Sequence, residues 1–160
     1  MKTEPLDERL FALLAASGAK MVTFTASSGV SDGGGQLKRA VSLAREHGIM
    51  VAVDYLCGYP GQLEEQVARE LDILRQAAPD SVGVSNCIRL YPGTQMAAQV
   101  CRNPEHYPGV MGDIMDNPGL LHPVFYSGIE LERVREMVAG DSLFKIEGFE
   151  RSTNYQRLAD

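Results

Sequence analysis

The stretch Gly48-Ile49-Met50-Val51-Ala52-Val53-Asp54-Tyr55-Leu56-Cys57-Gly58-Tyr59-Pro60-Gly61 decides the fold. An apolar, β-favouring run ends in a Pro-Gly turn. Behind it, Glu64 to Ala77 has helical periodicity, with Val67, Leu71 and Leu74 on one face. A strand, a tight turn at its carboxyl end and then a helix is the repeating unit of parallel α/β proteins. The same order returns at Ser81 to Leu90, where Tyr91-Pro92-Gly93 leads into a short helix from Thr94 to Cys101.

Upstream the pattern continues. Leu6, Leu10, Leu13 and Leu14 recur at helical spacing, so a helix is predicted over 5–17, with Pro5 as a first helical residue. Lys20 to Ala26 reads as a strand. Gln36 to His47 reads as a helix stopped by Gly48, with His47 as a cation near its carboxyl end. The order α-β-α-β-α-β-α implies right-handed crossovers and a parallel sheet of about three strands. Ile49 to Cys57 is apolar enough to be a strand buried on both faces, and Asp54 within it then needs a partner or a ligand. With both sheet edges unpaired, a partner chain or a second copy is expected to cover them.

From Arg102 to Gly128 the seven residues Pro104, Pro108, Gly109, Gly112, Pro118, Gly119 and Pro123 predict irregular structure. Asp113 and Asp116 lie there, as a cation site or as solvated acids. Ile129 to Val138 reads as a last helix, and Phe144, Ile146 and Phe149 as one short strand. The expected division is a barrel-like part over 1–101 and an irregular, helical extension over 102–160.

A 160-residue chain that is 44% hydrophobic suits a core of ordinary size, and a net charge of −6 argues against a nucleic-acid grip. No apolar run approaches the roughly 20 residues of a membrane span. Met1 to Pro5 leads straight into an acidic amphipathic segment, so it does not read as a signal peptide, and the chain reads as cytoplasmic. Cys57, Cys87 and Cys101 are separated by 29 and 13 residues, which makes neither a disulfide framework nor a cluster motif. The histidines show no ligand spacing, so no metal site is expected. No nucleophile–base pair stands out either, so no catalytic residue is assigned.

The segments quoted above resemble the carboxyl-terminal half of the partial (β/α) barrel of the radical S-adenosylmethionine superfamily, in its cobalamin-binding and methylthiotransferase-like branches. Gly48 to Gly61 matches the family's GI-x-V-x-x-D-x-x-x-G-x-P-G stretch, and Arg89 to Thr94 matches R-x-Y-P-G-T in full. Leu10, Leu14, Gly18, Val22, Phe24 and Ser28 follow a third stretch, and His122 to Ser127 resembles a P-x-F-Y region after the barrel. The resemblance covers roughly residues 6–130. It implies an incomplete, TIM-like half barrel, with relatives that use a [4Fe-4S] cluster and S-adenosylmethionine for radical chemistry such as methyl transfer.

The departures from the family are as informative. Its CxxxCxxC triad, whose thiolates hold the cluster, has no counterpart here. The resemblance therefore implies a truncated or degenerate member, inactive alone or half of a split enzyme whose partner chain carries the missing half. Ser27 stands where the family has a ligand-contacting carboxylate, and Gln62-Leu63 where it has Glu-Thr.

On the same ground the candidate cofactor-binding residues are Ser27, Ser28, Asp54, Gly58, Pro60, Gly61, Arg89 and Tyr91. Gly58, Pro60 and Gly61 either line a nucleoside pocket or only make the strand-to-helix turn. Arg89 and Tyr91 stand where the family contacts adenine or substrate; a tyrosine can stack on a base and an arginine can pair with a carboxylate. The Gly-rich stretch from Ser27 to Gly35 fits no phosphate-loop pattern. The alternative function is a non-catalytic module that binds a small ligand or a partner.

Overall fold

A computed structural model describes residues 7–26 and 33–147. Four parallel strands form the main sheet in the order β1 (Met21–Ala26), β2 (Met50–Leu56), β3 (Ser81–Ser85) and β7 (Phe144–Glu147). The helices α1 (Glu8–Ala16), α2 (Gly35–Glu46), α3 (Glu64–Ala77) and α5 (Leu131–Val138) cover one face of it. This is an α/β half barrel with parallel strands. α1 begins later than predicted because the Asp7 carboxylate accepts the Leu10 N–H at 2.9 Å and caps the helix there. Pro5 lies outside the described residues.

The register separates two kinds of row. Phe24, Val53, Val82 and Phe144 align across the four strands, as do Ala26, Tyr55, Val84 and Ile146. These rows pack against the helices with Phe11, Ala40, Val67, Leu71 and Val134. The alternate rows, with Met21 beside Met50 and Thr25 beside Asp54, face the other way, and those four residues are exposed. β2 is therefore buried on one face only, which corrects the expectation of a doubly buried strand. Met50 is 51% exposed although it sits in the apolar run. Among the described residues helices cover one side alone, so alternation decides which apolar residues reach the core.

The predicted third strand is also divided. β3 ends at Ser85, and after Asn86-Cys87 the chain starts β4 (Ile88–Leu90) in a second, antiparallel sheet. β4 pairs with β6 (Val124–Tyr126), which pairs with β5 (Val110–Met111). The Pro/Gly-rich segment thus contains strands that its composition concealed. The small sheet packs on α4 (Gln95–Arg102) through Leu90, Ala97, Val100, Val124 and Tyr126.

The edge of β3 is not open, because β7 occupies it. Arg75 on α3 fastens that strand: its Nε donates to Asp141 Oδ2 at 2.9 Å, one Nη donates to Met137 O at 2.8 Å, and the guanidinium lies 5.0 Å from the Phe144 ring. No helix among the described residues is long and apolar enough to cross a membrane.

Candidate functional site

Both Pro-Gly turns have the same build. Tyr59-Pro60-Gly61-Gln62 closes with the Gln62 N–H on Tyr59 O at 3.0 Å, and Tyr91-Pro92-Gly93-Thr94 with the Thr94 N–H on Tyr91 O at 3.3 Å. Gly61 and Gly93 take φ of 77° and 78°, the left-handed position that a type II turn gives to glycine behind proline. Thr94 then caps α4, its hydroxyl accepting the Ala97 N–H at 3.2 Å.

The two turns belong to different sheets. The first follows β2 of the main sheet; the second follows β4 of the small one. Arg89 is accordingly on the second sheet and Tyr91 in the turn just behind it, and neither is at the end of a barrel strand. The Arg89 guanidinium lies 5.0 Å from the centre of the Tyr91 ring, and Tyr91 is 51% exposed.

At the first turn the backbone donors are engaged internally. Gln62 Oε1 accepts the N–H groups of Gly58 at 2.7 Å and Tyr59 at 3.3 Å. Gln62 Nε2 donates to Glu70 Oε2 at 3.1 Å, and the Tyr55 hydroxyl donates to the same oxygen at 2.5 Å. Burial, with the Glu70 carboxylate beside it, pushes the Tyr55 phenol well above its ordinary range. Gly58 is covered as well: a Cβ there would stand 2.6 Å from Ser127 Oγ, and the Gly128 N–H donates to Gly58 O at 2.8 Å. Pro60 and Gly61 are exposed.

Sequence reasoning missed the joint that makes this arrangement. Buried Asn86 donates to Ile129 O at 2.9 Å, and its Oδ1 accepts from Cys57 Sγ at 3.6 Å and Ser127 Oγ at 3.4 Å. Nothing in the local pattern marks Asn86 as a joint; Ser127 had a signal, in the segment resembling P-x-F-Y. Beside this joint lies a cleft of about 440 Å³ lined by Asn86, Cys87, Met111, Tyr126 and Glu130, among others. Of the eight residues singled out from sequence, none of the six that are described lines it. Ser27 and Ser28 lie outside the described residues, and Asp54 is exposed on the uncovered face of the main sheet.

The cysteines do not converge on a cluster. Cys57 is buried and hydrogen-bonded, and burial pushes its thiol up to about 12. Cys87 is half-buried with its thiol also raised by burial, and Cys101 is exposed on α4. Among the described residues no group of three or more His, Cys, Asp or Glu could hold a metal ion. Thiols without a shared centre do not fit a [4Fe-4S] cluster.

No protein-family model and no curated protein matches the chain. Solved structures do. One is a radical S-adenosylmethionine methyltransferase, TsrM, from Kitasatospora setae with tryptophan substrate and the analogue aza-SAM bound: TM-score 0.64 and 24% identity, over 85% of this chain. Another is TsrM with cobalamin and a [4Fe-4S] cluster bound: TM-score 0.70 and 22% identity, over 91% of this chain. The chain spans about a third of their length, 33% and 37%. The likeness is one of fold, shared with TsrM over that part of its length.

Proposed function

We propose that this chain is a truncated or degenerate radical S-adenosylmethionine-type half barrel, inactive alone, that supplies the carboxyl-terminal part of a ligand site to a partner chain. One observation carries the reading: a parallel sheet with helices on one face and an opposite face that no described residue covers, in a chain that shares its fold with TsrM. In a closed barrel that opposite face is the interior. The cluster thiolates would come from the partner, since the thiols of this chain do not fit one. Arg89 and Tyr91 would hold the nucleoside end of S-adenosylmethionine, Tyr91 by stacking and Arg89 by its charge. What the bound group supplies in such enzymes is radical methyl transfer or related chemistry.

The test is co-expression with a chain carrying CxxxCxxC, followed by anaerobic reconstitution with iron and sulfide. A stable complex with cluster absorbance and cleavage of S-adenosylmethionine is expected; this chain alone gives neither. Failure of every such partner to associate would sink the split-enzyme reading.

A second reading, a non-catalytic ligand-binding or interaction module, is favoured by the internal use of the Gly58 and Tyr59 N–H groups. Titration of the chain alone with S-adenosylmethionine separates the two. Saturable binding that Tyr91→Ala weakens supports a retained site, and no binding by chain or complex leaves a scaffold.

A further inference from the structure

The cleft beside Asn86 runs between β5 and the amino end of α5. Pro108, Val110 and Met111 line it from one segment, and Ile129 and Leu131 from the other, so its walls are mostly apolar. Several of its polar groups are already committed. Asn86 donates to Ile129 O and accepts from Cys57 and Ser127, and the Ser127 hydroxyl reaches Ile129 O at 2.7 Å.

Two polar side chains are left over. Tyr126 lines the cleft and is only 7% exposed, yet its hydroxyl has no hydrogen-bond partner among the described residues. No side-chain oxygen or nitrogen among them is both fully buried and without a partner, so the Tyr126 oxygen must reach solvent, and the cleft is the opening it lines. Glu130 uses its backbone carbonyl to accept the Arg133 N–H at 3.1 Å at the start of α5. Its carboxylate is exposed at the cleft and makes no ion pair with another described residue. The described residues that line the cleft include no Lys, Arg or His.

We infer that the cleft binds a small alkylammonium ion, its hydrocarbon chain against Met111, Ile129 and Leu131 and its ammonium shared by the Glu130 carboxylate and the Tyr126 oxygen. Charge selects this class. An anion would meet Glu130 with no cation to hold it, and an α-amino acid would bring a carboxylate into the same difficulty. A neutral alcohol would leave Glu130 unused. A simple alkylamine is protonated at neutral pH, like the side chain of lysine, and its N–H donors suit a carboxylate and a phenol oxygen. A diamine suits the cleft less, because its second charge would sit among apolar walls. No residue of the two Pro-Gly turns takes part, so the site stands or falls separately from binding of S-adenosylmethionine.

The test is an NMR titration of the full chain with n-hexylamine, 1-hexanol, hexanoate and 1,6-diaminohexane at neutral pH. Amide shifts at Met111, Gly128, Glu130 and Leu131 should saturate with hexylamine, and the other three should bind at least about tenfold more weakly. Glu130→Gln should bring hexylamine down to the level of hexanol. Tyr126→Phe should weaken hexylamine by about fivefold and leave the melting temperature unchanged, since that hydroxyl holds nothing in the free chain. Glu132→Gln, on the same helix but away from the cleft, should leave the preference intact, which separates a local site from attraction to an acidic chain. Equal binding of amine and alcohol would overturn the site. So would shifts confined to other regions, or a preference that survives Glu130→Gln.

Discussion

Gln62 and Glu70 are held together at 3.1 Å, and through that contact helix α3 fixes the turn at the end of β2. The Gln62 carboxamide accepts from two backbone N–H groups on one side and donates to the Glu70 carboxylate on the other. The family resemblance made Gln62 look like erosion. With Glu70 opposite, a second carboxylate at this position would meet like charge.

Gln62→Glu should destabilise the fold by about 1–3 kcal/mol, because it removes a donor and sets two acids face to face. The loss should shrink on acidification, as one of the two acids takes up a proton and can donate. Urea unfolding at neutral and mildly acidic pH checks it, and a variant as stable as the parent at both would refute the coupling.

Alkali should weaken the fold through Tyr55 and Cys57. Both folded-state pKa values are raised, the thiol from 9.0 to about 12, so their contribution is complete below the unfolded values. The thiol's share is lost as pH rises from 9.0 to about 12, and the phenol's as pH rises from 10.0 toward its raised folded value. Each group steepens the loss by up to about 1.4 kcal/mol per pH unit. Tyr55→Phe should cost about 1 kcal/mol near neutrality by removing the bond to Glu70, and should flatten the slope above pH 10. Denaturation midpoints across the alkaline range decide this.

Glycine substitutions should rank by what stands over them. A Cβ at Gly109 would lie 1.7 Å from the Ser127 carbonyl oxygen, and one at Gly58 2.6 Å from Ser127 Oγ at a φ of 84°. At Gly61 a Cβ meets open space, so only the backbone conformation is strained. Gly109→Ala should be the most damaging, Gly58→Ala next, and Gly61→Ala mildest at about 1 kcal/mol. Thermal melts of the three alanine variants give the order, and Gly61→Ala emerging as the worst would contradict the role assigned to Ser127.

Arg75→Ala should loosen β7 while sparing β1 and β2, since Arg75 binds Asp141, Met137 O and the Phe144 ring at that one edge. Hydrogen exchange at β7 amides should speed by about tenfold, the ratio expected for one lost charge-assisted bond. Asp141 is held below the usual carboxylate range, chiefly by Arg75. Its contribution is therefore present above the ordinary carboxylate pKa and is lost as pH falls through the depressed one. The same loosening should appear in the parent protein in acid.

Local pattern was sufficient wherever structure depends on neighbours in sequence. α3 runs from Glu64 to Ala77 as its periodicity predicted, and both Pro-Gly turns form where proline and glycine demand them. The parallel order β1-β2-β3 follows from alternating helices and strands. The small sheet was not legible, because its strands have two or three residues and their pairing is long-range. No window of sequence sees that Ile88 meets Tyr126.

The candidate site divides in the same way. Sequence alone determined which residues have turn chemistry, and that this chain has no cluster motif. Only the tertiary structure decided where those residues face. It turned Gly58 beneath Ser127, moved Arg89 onto a second sheet with Tyr91 just behind it, and set Asp54 and Lys145, 91 positions apart, in one row of the main sheet. The physical reason is that turn geometry is set within a few residues. Exposure is set by whatever packs on a face, and here nothing among the described residues covers the face that Asp54 and Lys145 share.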